Sequence, residues 1–151
     1  EIIRRVVLLI VVAGVCAALF AEIASLHRRY DAGIALSEYR GTVYDLANTI
    51  RAMRAKAVTQ RQPFELRIDQ AHNSFTITSL SRGSANYAAL ERSVWLPEGL
   101  QIVKAPAWIA AQSNGSFTAA EIVVTAPALQ RLFRLTTTLS GSVEFHEEPT
   151  S

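Results

Sequence analysis

The distribution of apolar and polar positions divides the chain into an apolar start, an amphipathic middle and an alternating C-terminal half. Sixteen consecutive residues, Val6 to Ala21, carry no charge. They are apolar on every face rather than along one stripe, which argues against the core helix of a globular domain. The run from Ile2 to Ile23 contains about 22 residues and spans roughly 33 Å as a helix, the thickness of a bilayer. The pattern predicts a transmembrane helix over residues 1–23.

A cleaved secretory signal is the main alternative, since it also contains a short apolar stretch followed by small residues. The segment 13–21 offers such residues, but the helical pattern continues beyond it without a break. Arg4 and Arg5 lie near the end of the run, where long side chains reach the headgroups. By the positive-inside rule they predict a single-pass protein of the inner membrane, with a cytoplasmic N-terminus and a periplasmic C-terminal domain. The residues assigned to the membrane helix are Val6, Leu8, Leu9, Val12, Leu19 and Phe20.

Residues 24–62 are predicted to continue the same helix in amphipathic form. Apolar residues recur there at alternating spacings of three and four, the pattern of a helix that buries one face. Such a stripe fits a coiled-coil seam or a helix laid on a sheet, and the strand-like segments that follow favour the sheet. Pro63 ends the helix because it has no backbone N–H. The stripe comprises Leu36, Tyr39, Val43, Leu46, Ile50 and Met53, which we expect to pack on the β-domain, and then Ala57.

Basic residues lie off this stripe. Arg40, Arg51 and Arg54 are expected to face water. Arg51 and Arg54 also belong to a basic cluster near the helix end, which is favourable for the helix macrodipole.

Residues 63–151 alternate between apolar and polar positions and contain several turn signals, which predicts a β-rich domain. The turns are expected at residues 69–73, 97–99, 113–116 and 140–141, with a loop over 81–86. Six to eight short strands after one long helix indicate an α+β fold, in which the N-terminal helix packs on a C-terminal antiparallel β-domain. The expected strands include 64–68, 75–78, 94–96, 100–103, 121–125, 132–138 and 142–146.

Charge and chemistry add few candidates. From Glu22 onward the chain has thirteen Lys and Arg against twelve Asp and Glu, a net charge of +1, which argues against a nucleic-acid partner. His27, His72 and His146 have no ligand-like spacing, and the single cysteine, Cys16, lies in the apolar run. We therefore expect no metal, no cofactor and no enzymatic activity.

Two segments resemble the GspH/FimT group of type IV pilin-like proteins. Residues 44–68, YDLANTIRAMRAKAVTQRQPFELRI, resemble the end of that group's helix and the strand that follows it. Residues 112–145 resemble its closing segment, with turns at Asn114-Gly115-Ser116 and Ser140-Gly141. The order of these features, rather than any one motif, carries the resemblance, and it extends over nearly the whole chain.

The resemblance implies a pilin-like fold and an assembly function. Glu1 is similar to the glutamate of the group's N-terminal signature, which is thought to pair with the N-terminal amine of a neighbouring subunit. Arg4 and Arg5 depart from the group, which usually has apolar residues there. The implied partners are other pilin-like subunits, through the N-terminal helix, the inner membrane and, in a secretion system, the exported protein.

Three functions follow from these observations. The leading one is a minor pseudopilin that helps to initiate or cap a type II secretion pseudopilus. The second is a FimT-like minor pilin of a type IV pilus, serving adhesion, motility or DNA uptake. The acidic end from Phe145 to Pro149 argues against a C-terminal DNA site, with Arg131 and Arg134 as the remaining candidates. The third is a membrane-anchored enzyme, for which the sequence offers no positive sign.

Overall fold

A single helix begins the fold, and its end is defined by backbone geometry. The computed structural model describes residues 2–80 and 88–150, with the backbone alone at residues 2, 8, 9 and 88–91. Helix α1 extends over Ile2–Gln60. Arg61 then adopts a left-handed φ of 52°. The amide of Gln62 donates to the Ala57 carbonyl and that of Arg61 to the Val58 carbonyl, a Schellman motif that closes the helix two residues before Pro63.

The C-terminal half forms two four-stranded antiparallel sheets. The strands are β1 Phe64–Asp69, β2 Ser74–Leu80, β3 Ala88–Trp95, β4 Gln101–Lys104, β5 Trp108–Ala111, β6 Ala120–Ala126, β7 Arg131–Thr137 and β8 Val143–Pro149. The first sheet has the order β3-β2-β1-β5, and the second has the order β4-β6-β7-β8. A short 3₁₀ helix, Pro127–Leu129, joins β6 to β7. Ala111 and Phe117 form an isolated antiparallel bridge.

The predicted α+β architecture is confirmed, and one strand is additional. Strand β5 was not expected because Trp108–Ala111 is apolar throughout and does not alternate. It pairs with β1 in antiparallel register, with Leu66 opposite Ile109. The loop predicted over residues 81–86 lies outside the described residues.

The hydrophobic core lies between α1 and the two sheets, so the helix-on-sheet interpretation holds for this part of the helix. Phe64, Phe75 and Phe133 are its largest fully buried side chains. Full burial of one such side chain contributes roughly 1.5–3 kcal/mol. The helix supplies six buried residues, which are Val43, Leu46, Ala47, Ile50, Met53 and Ala57.

The backbone divides into two compact units. The first ends at Ser37 and the second begins at Glu38. The first unit is helical throughout its described part, and the second combines the C-terminal end of α1 with both sheets. Each unit is described by itself below.

Candidate functional site

The first unit exposes an apolar helical surface. Phe20 is 74% exposed and Leu19 is 53% exposed, although both are large apolar side chains. Val6 and Val12 are likewise exposed. By length and composition, α1 is the one helix in the described chain that could cross a membrane, and none of its most apolar stretch is buried. Removing 100 Å² of apolar surface from water is favourable by roughly 2.5 kcal/mol. Contact of this helical surface with lipid or with another apolar surface is therefore favourable.

Three residues of the predicted anchor and assembly site fall where side chains are not described. The backbone of Leu8 and Leu9 is helical. Glu1 lies outside the described residues, so its assembly role stays a prediction. Cys16 is exposed within the apolar run and forms no disulfide.

In the second unit, the predicted stripe faces the sheets. Val43, Leu46, Ile50 and Met53 are each at most 2% exposed. Tyr39 is half-buried, and its hydroxyl donates to the Glu98 carbonyl at 3.0 Å. The remaining stripe residue, Leu36, is half-buried and belongs to the first unit.

Two arginines off the stripe bind backbone carbonyls; Arg51 is exposed, as expected, and Arg54 is half-buried. Arg54 donates from Nε to the Gly115 carbonyl at 2.8 Å and from Nη2 to the Ser140 carbonyl at 3.1 Å. It thereby joins the helix to the two glycine turns that the sequence resemblance singled out. Arg51 donates to the Val143 carbonyl at 2.7 Å, at the start of β8. The helix-dipole interpretation does not hold for these arginines, because α1 ends at Gln60 and has no basic residue in its last turn, to which the dipole effect is confined.

The last strand is attached to the helix by an ion pair. Arg40 donates two hydrogen bonds to the Glu147 carboxylate, from Nε at 2.7 Å and from Nη2 at 3.0 Å. Arg131 lies 3.8 Å from the same carboxylate. The hydrogen bond from Arg40 lowers the pKa of Glu147 and raises the pKa of Arg40. Beside this pair, the rings of Tyr44 and Phe145 pack edge to face with centroids 6.3 Å apart.

Other cations of the second sheet also lie beside carboxylates. Arg134 pairs with Glu121 and lies 3.5 Å from Glu148. Lys104 pairs with the same Glu121 carboxylate. Hydrogen bonds from Lys104 and then from Arg134 lower the pKa of Glu121. The two weak candidates for a DNA contact, Arg131 and Arg134, therefore each lie beside a carboxylate.

Each of the three histidines lies beside one acidic side chain. His72 Nδ1 is 2.7 Å from Asp69, and this hydrogen bond lowers the pKa of Asp69. His27 lies 3.5 Å from Asp31, and His146 lies 3.6 Å from Glu144. Within residues 2–80 and 88–150, no group of three or more His, Cys, Asp or Glu side chains is arranged to hold a metal ion.

Comparison with known proteins identifies the fold. No model of a known protein family matches this chain, and neither does any curated protein sequence. Among solved structures, the minor pseudopilin EpsH from the type 2 secretion system of Vibrio cholerae is similar, with a TM-score of 0.59 at 18% identity over 72% of this chain and 96% of that one. The type IV minor pilin FimU of Pseudomonas aeruginosa PAO1 has the same TM-score at 19% identity, over 77% of this chain and 92% of that one. The chain therefore has a pilin-like α+β fold, in which a long N-terminal helix with an exposed apolar surface leads into antiparallel sheets.

Proposed function

We propose that this chain is a minor pilin-like or pseudopilin-like structural subunit. The observation that carries the proposal is the exposed apolar surface of α1, in a chain whose fold matches two proteins of that kind. A largely apolar segment of bilayer length can be stored in the membrane and can also pack against equivalent helices in a filament. Both surroundings are apolar, so the transfer from one to the other has a small hydrophobic cost.

The finer proposal is a minor pseudopilin of a type II secretion system that helps to initiate or cap the pseudopilus. In this scheme residues 1–23 are the anchor and assembly helix, residues 24–62 continue it in amphipathic form, and residues 63–151 are a periplasmic β-domain. A minor pilin of a type IV pilus is the second candidate, since the similarity to FimU equals that to EpsH in TM-score. The partners differ accordingly, being pseudopilins and exported proteins in the first case and pilins in the second.

Glu1 is assigned the assembly function within this proposal. A carboxylate at the membrane edge is costly unless it is paired, so a cationic group of a neighbouring subunit would draw the two helices together. The proposal predicts that Glu1→Ala impairs incorporation into a filament while the β-domain stays folded. Glu22→Ala is the matched control, because it removes a second carboxylate of the same helix.

The experiment is photo-crosslinking through α1 in the organism that makes the protein. Benzoylphenylalanine replaces Phe20, an exposed aromatic residue, in the full-length protein. We expect crosslinks to other chains that have an N-terminal apolar helix, and expect Glu1→Ala but not Glu22→Ala to abolish them. Pseudopilins among the products would support the secretion function, and pilins would support the pilus. A probe that crosslinks lipid alone in filament-producing cells would contradict the subunit proposal.

A further inference from the structure

Basic residues stand at both ends of the apolar run, not only at the start. Arg4 and Arg5 precede it, and Arg28 and Arg29 follow it, with Glu22 as the only Asp, Glu, Lys or Arg between the two pairs. Arg5 and Arg28 are 23 positions apart in an unbroken helix, which corresponds to about 35 Å at about 1.5 Å per residue. That separation exceeds the roughly 30 Å hydrocarbon layer and falls within the roughly 40–45 Å that includes the headgroups. A helix that crosses the bilayer can therefore keep both pairs at headgroup level.

The second pair has no acidic partner in the described chain. Arg28 and Arg29 are exposed, and Arg28 uses Nε for a hydrogen bond to the Ala24 carbonyl of its own helix at 3.3 Å. The neighbouring acid, Asp31, lies beside His27 instead, at 3.5 Å. No described carboxylate forms an ion pair with either arginine. Their guanidinium charge is thus available to a ligand from outside the chain.

An apolar and aromatic stripe runs along the helix beside these arginines. Ile23, Leu26 and Tyr30 are 61%, 64% and 68% exposed, and their spacings of three and four put them on one face. Tyrosine is enriched where the hydrocarbon meets the headgroups, because its ring is apolar and its hydroxyl is polar. The stripe therefore matches the depth at which the arginines meet phosphate groups.

We propose that Arg28 and Arg29, with Tyr30, form a docking surface for the headgroups of anionic phospholipids in the leaflet opposite to that of Arg4 and Arg5. Arginine binds phosphate through two parallel hydrogen bonds, and each cation near an anionic membrane adds attraction. An orientation signal does not explain Arg28 and Arg29, because positive charge at that end of the apolar run favours the opposite orientation from that favoured by Arg4 and Arg5. The proposal rests on the membrane anchorage proposed above, and it adds a lipid class and the residues that select it.

The test uses the full chain in vesicles of phosphatidylcholine that contain a minor fraction of phosphatidylglycerol. Spin-labelled lipids of each class report which headgroup associates with the protein. We expect the wild-type chain to prefer phosphatidylglycerol several-fold, and expect R28Q/R29Q to lose a large part of that preference. R61Q/R67Q is the matched control, since it removes the same charge from outside the first unit and should keep the preference. Equal losses in both double variants, or no loss in R28Q/R29Q, would overturn the proposal.

Two further measurements distinguish a wrong lipid proposal from a wrong membrane anchorage. Inorganic phosphate is compared with chloride at equal ionic strength; if phosphate alone abolishes the lipid preference, the arginines bind free phosphate and the lipid proposal is wrong. A nitroxide on Cys16, the single cysteine, reports the depth of the apolar run. A label exposed to water would overturn the anchorage itself, and with it this proposal. A label deep in the bilayer without selectivity for phosphatidylglycerol would overturn the lipid proposal alone.

Discussion

At the scale of single residues, Gly141 is placed where a side chain would be strained. Its φ is +89°, a left-handed conformation that favours glycine, and a Cβ there would collide with the Arg54 guanidinium. We expect Gly141→Ala to destabilise the protein by about 1–3 kcal/mol. The measurement is the thermal unfolding of the full chain in detergent, followed by tryptophan fluorescence.

Gly41 supplies the matched control for this substitution. It lies within helix α1, and nothing would contact a Cβ there within 4 Å. Because alanine is about 1 kcal/mol more favourable than glycine inside a helix, Gly41→Ala should raise the unfolding temperature slightly. If both variants unfold at the same temperature, the strain assigned to the 140–141 turn is wrong.

The ion pair between Arg40 and Glu147 makes a second prediction at this scale, on pH dependence. The pKa of Glu147 is lowered in the folded protein by the hydrogen bond from Arg40, so the unfolded chain binds a proton at a higher pH than the folded chain does. The stabilisation is therefore present above the ordinary pKa of a glutamate and is lost as the pH falls through the lowered folded value.

A double-mutant cycle measures this effect. We expect a favourable coupling between Arg40→Gln and Glu147→Gln at neutral pH, and expect it to vanish in acid where the carboxylate is protonated. Urea unfolding of the full chain in detergent, repeated across the acidic range, gives the coupling at each pH. A coupling that persists unchanged in acid would show that the charge on Glu147 is irrelevant.

At the scale of elements, Arg54 connects the helix to two turns at once. Its guanidinium reaches the Gly115 and Ser140 carbonyls, which belong to the connections before β6 and β8. A hydrogen bond from a charged group contributes about 1.5–3 kcal/mol, so we expect Arg54→Gln to destabilise the protein by roughly that amount. Arg61→Gln removes the same charge from an exposed residue just after the helix and should change the unfolding free energy by less than about 0.5 kcal/mol.

Hydrogen exchange would locate the effect of Arg54→Gln. Faster exchange of amides in the two turns, with the exchange of β1 and β2 unchanged, is the expected pattern. Uniformly faster exchange throughout the second unit would instead indicate a general loss of stability and would refute the connecting role of this side chain.

The elements differ in how far the sequence determines them. The buried face of α1 was predictable because a helix repeats every 3.6 residues, and Val43, Leu46 and Ile50 follow that period. The end of the helix was predictable from Pro63, whereas the left-handed cap at Arg61 was not, since glycine is the usual residue there. Strand β5 was missed because a short apolar segment without alternation has no period to recognise.

The contacts of the helix arginines could not be predicted for a different reason. Periodicity tells which side of a helix a residue occupies, and it placed Arg51 and Arg54 off the buried stripe. Their long side chains nevertheless reach carbonyls of two turns and of β8 that are 61 to 92 residues away in sequence. Such contacts depend on how the sheets close over the helix, which a local pattern does not contain.

At the scale of the whole molecule, one chain combines an exposed apolar helical surface with a second unit built around a hydrophobic core. The exposed large apolar side chains are concentrated in the first unit, while Arg131 and Arg134 of β7 lie beside carboxylates. This division favours a protein that interacts mainly through its N-terminal helix. The fold alone does not separate a pseudopilin from a pilin, since its TM-score is the same against EpsH and FimU.

In the proposed membrane anchorage, the two arginine pairs favour opposite orientations of the chain. Each pair carries two positive charges and lies close to one end of the apolar run, so removal of either should change the balance between the two orientations.

We predict that R4Q/R5Q lowers the fraction of molecules with a periplasmic C-terminus, and that R28Q/R29Q does not lower it. Alkaline phosphatase fused after residue 151 measures that fraction, because the enzyme is active only outside the cytoplasm. The control is that both double variants are present in the membrane in equal amounts. Each variant loses two positive charges, so the two can be compared directly. If R28Q/R29Q reduced the activity and R4Q/R5Q did not, the assignment of the orientation signal to Arg4 and Arg5 would be wrong.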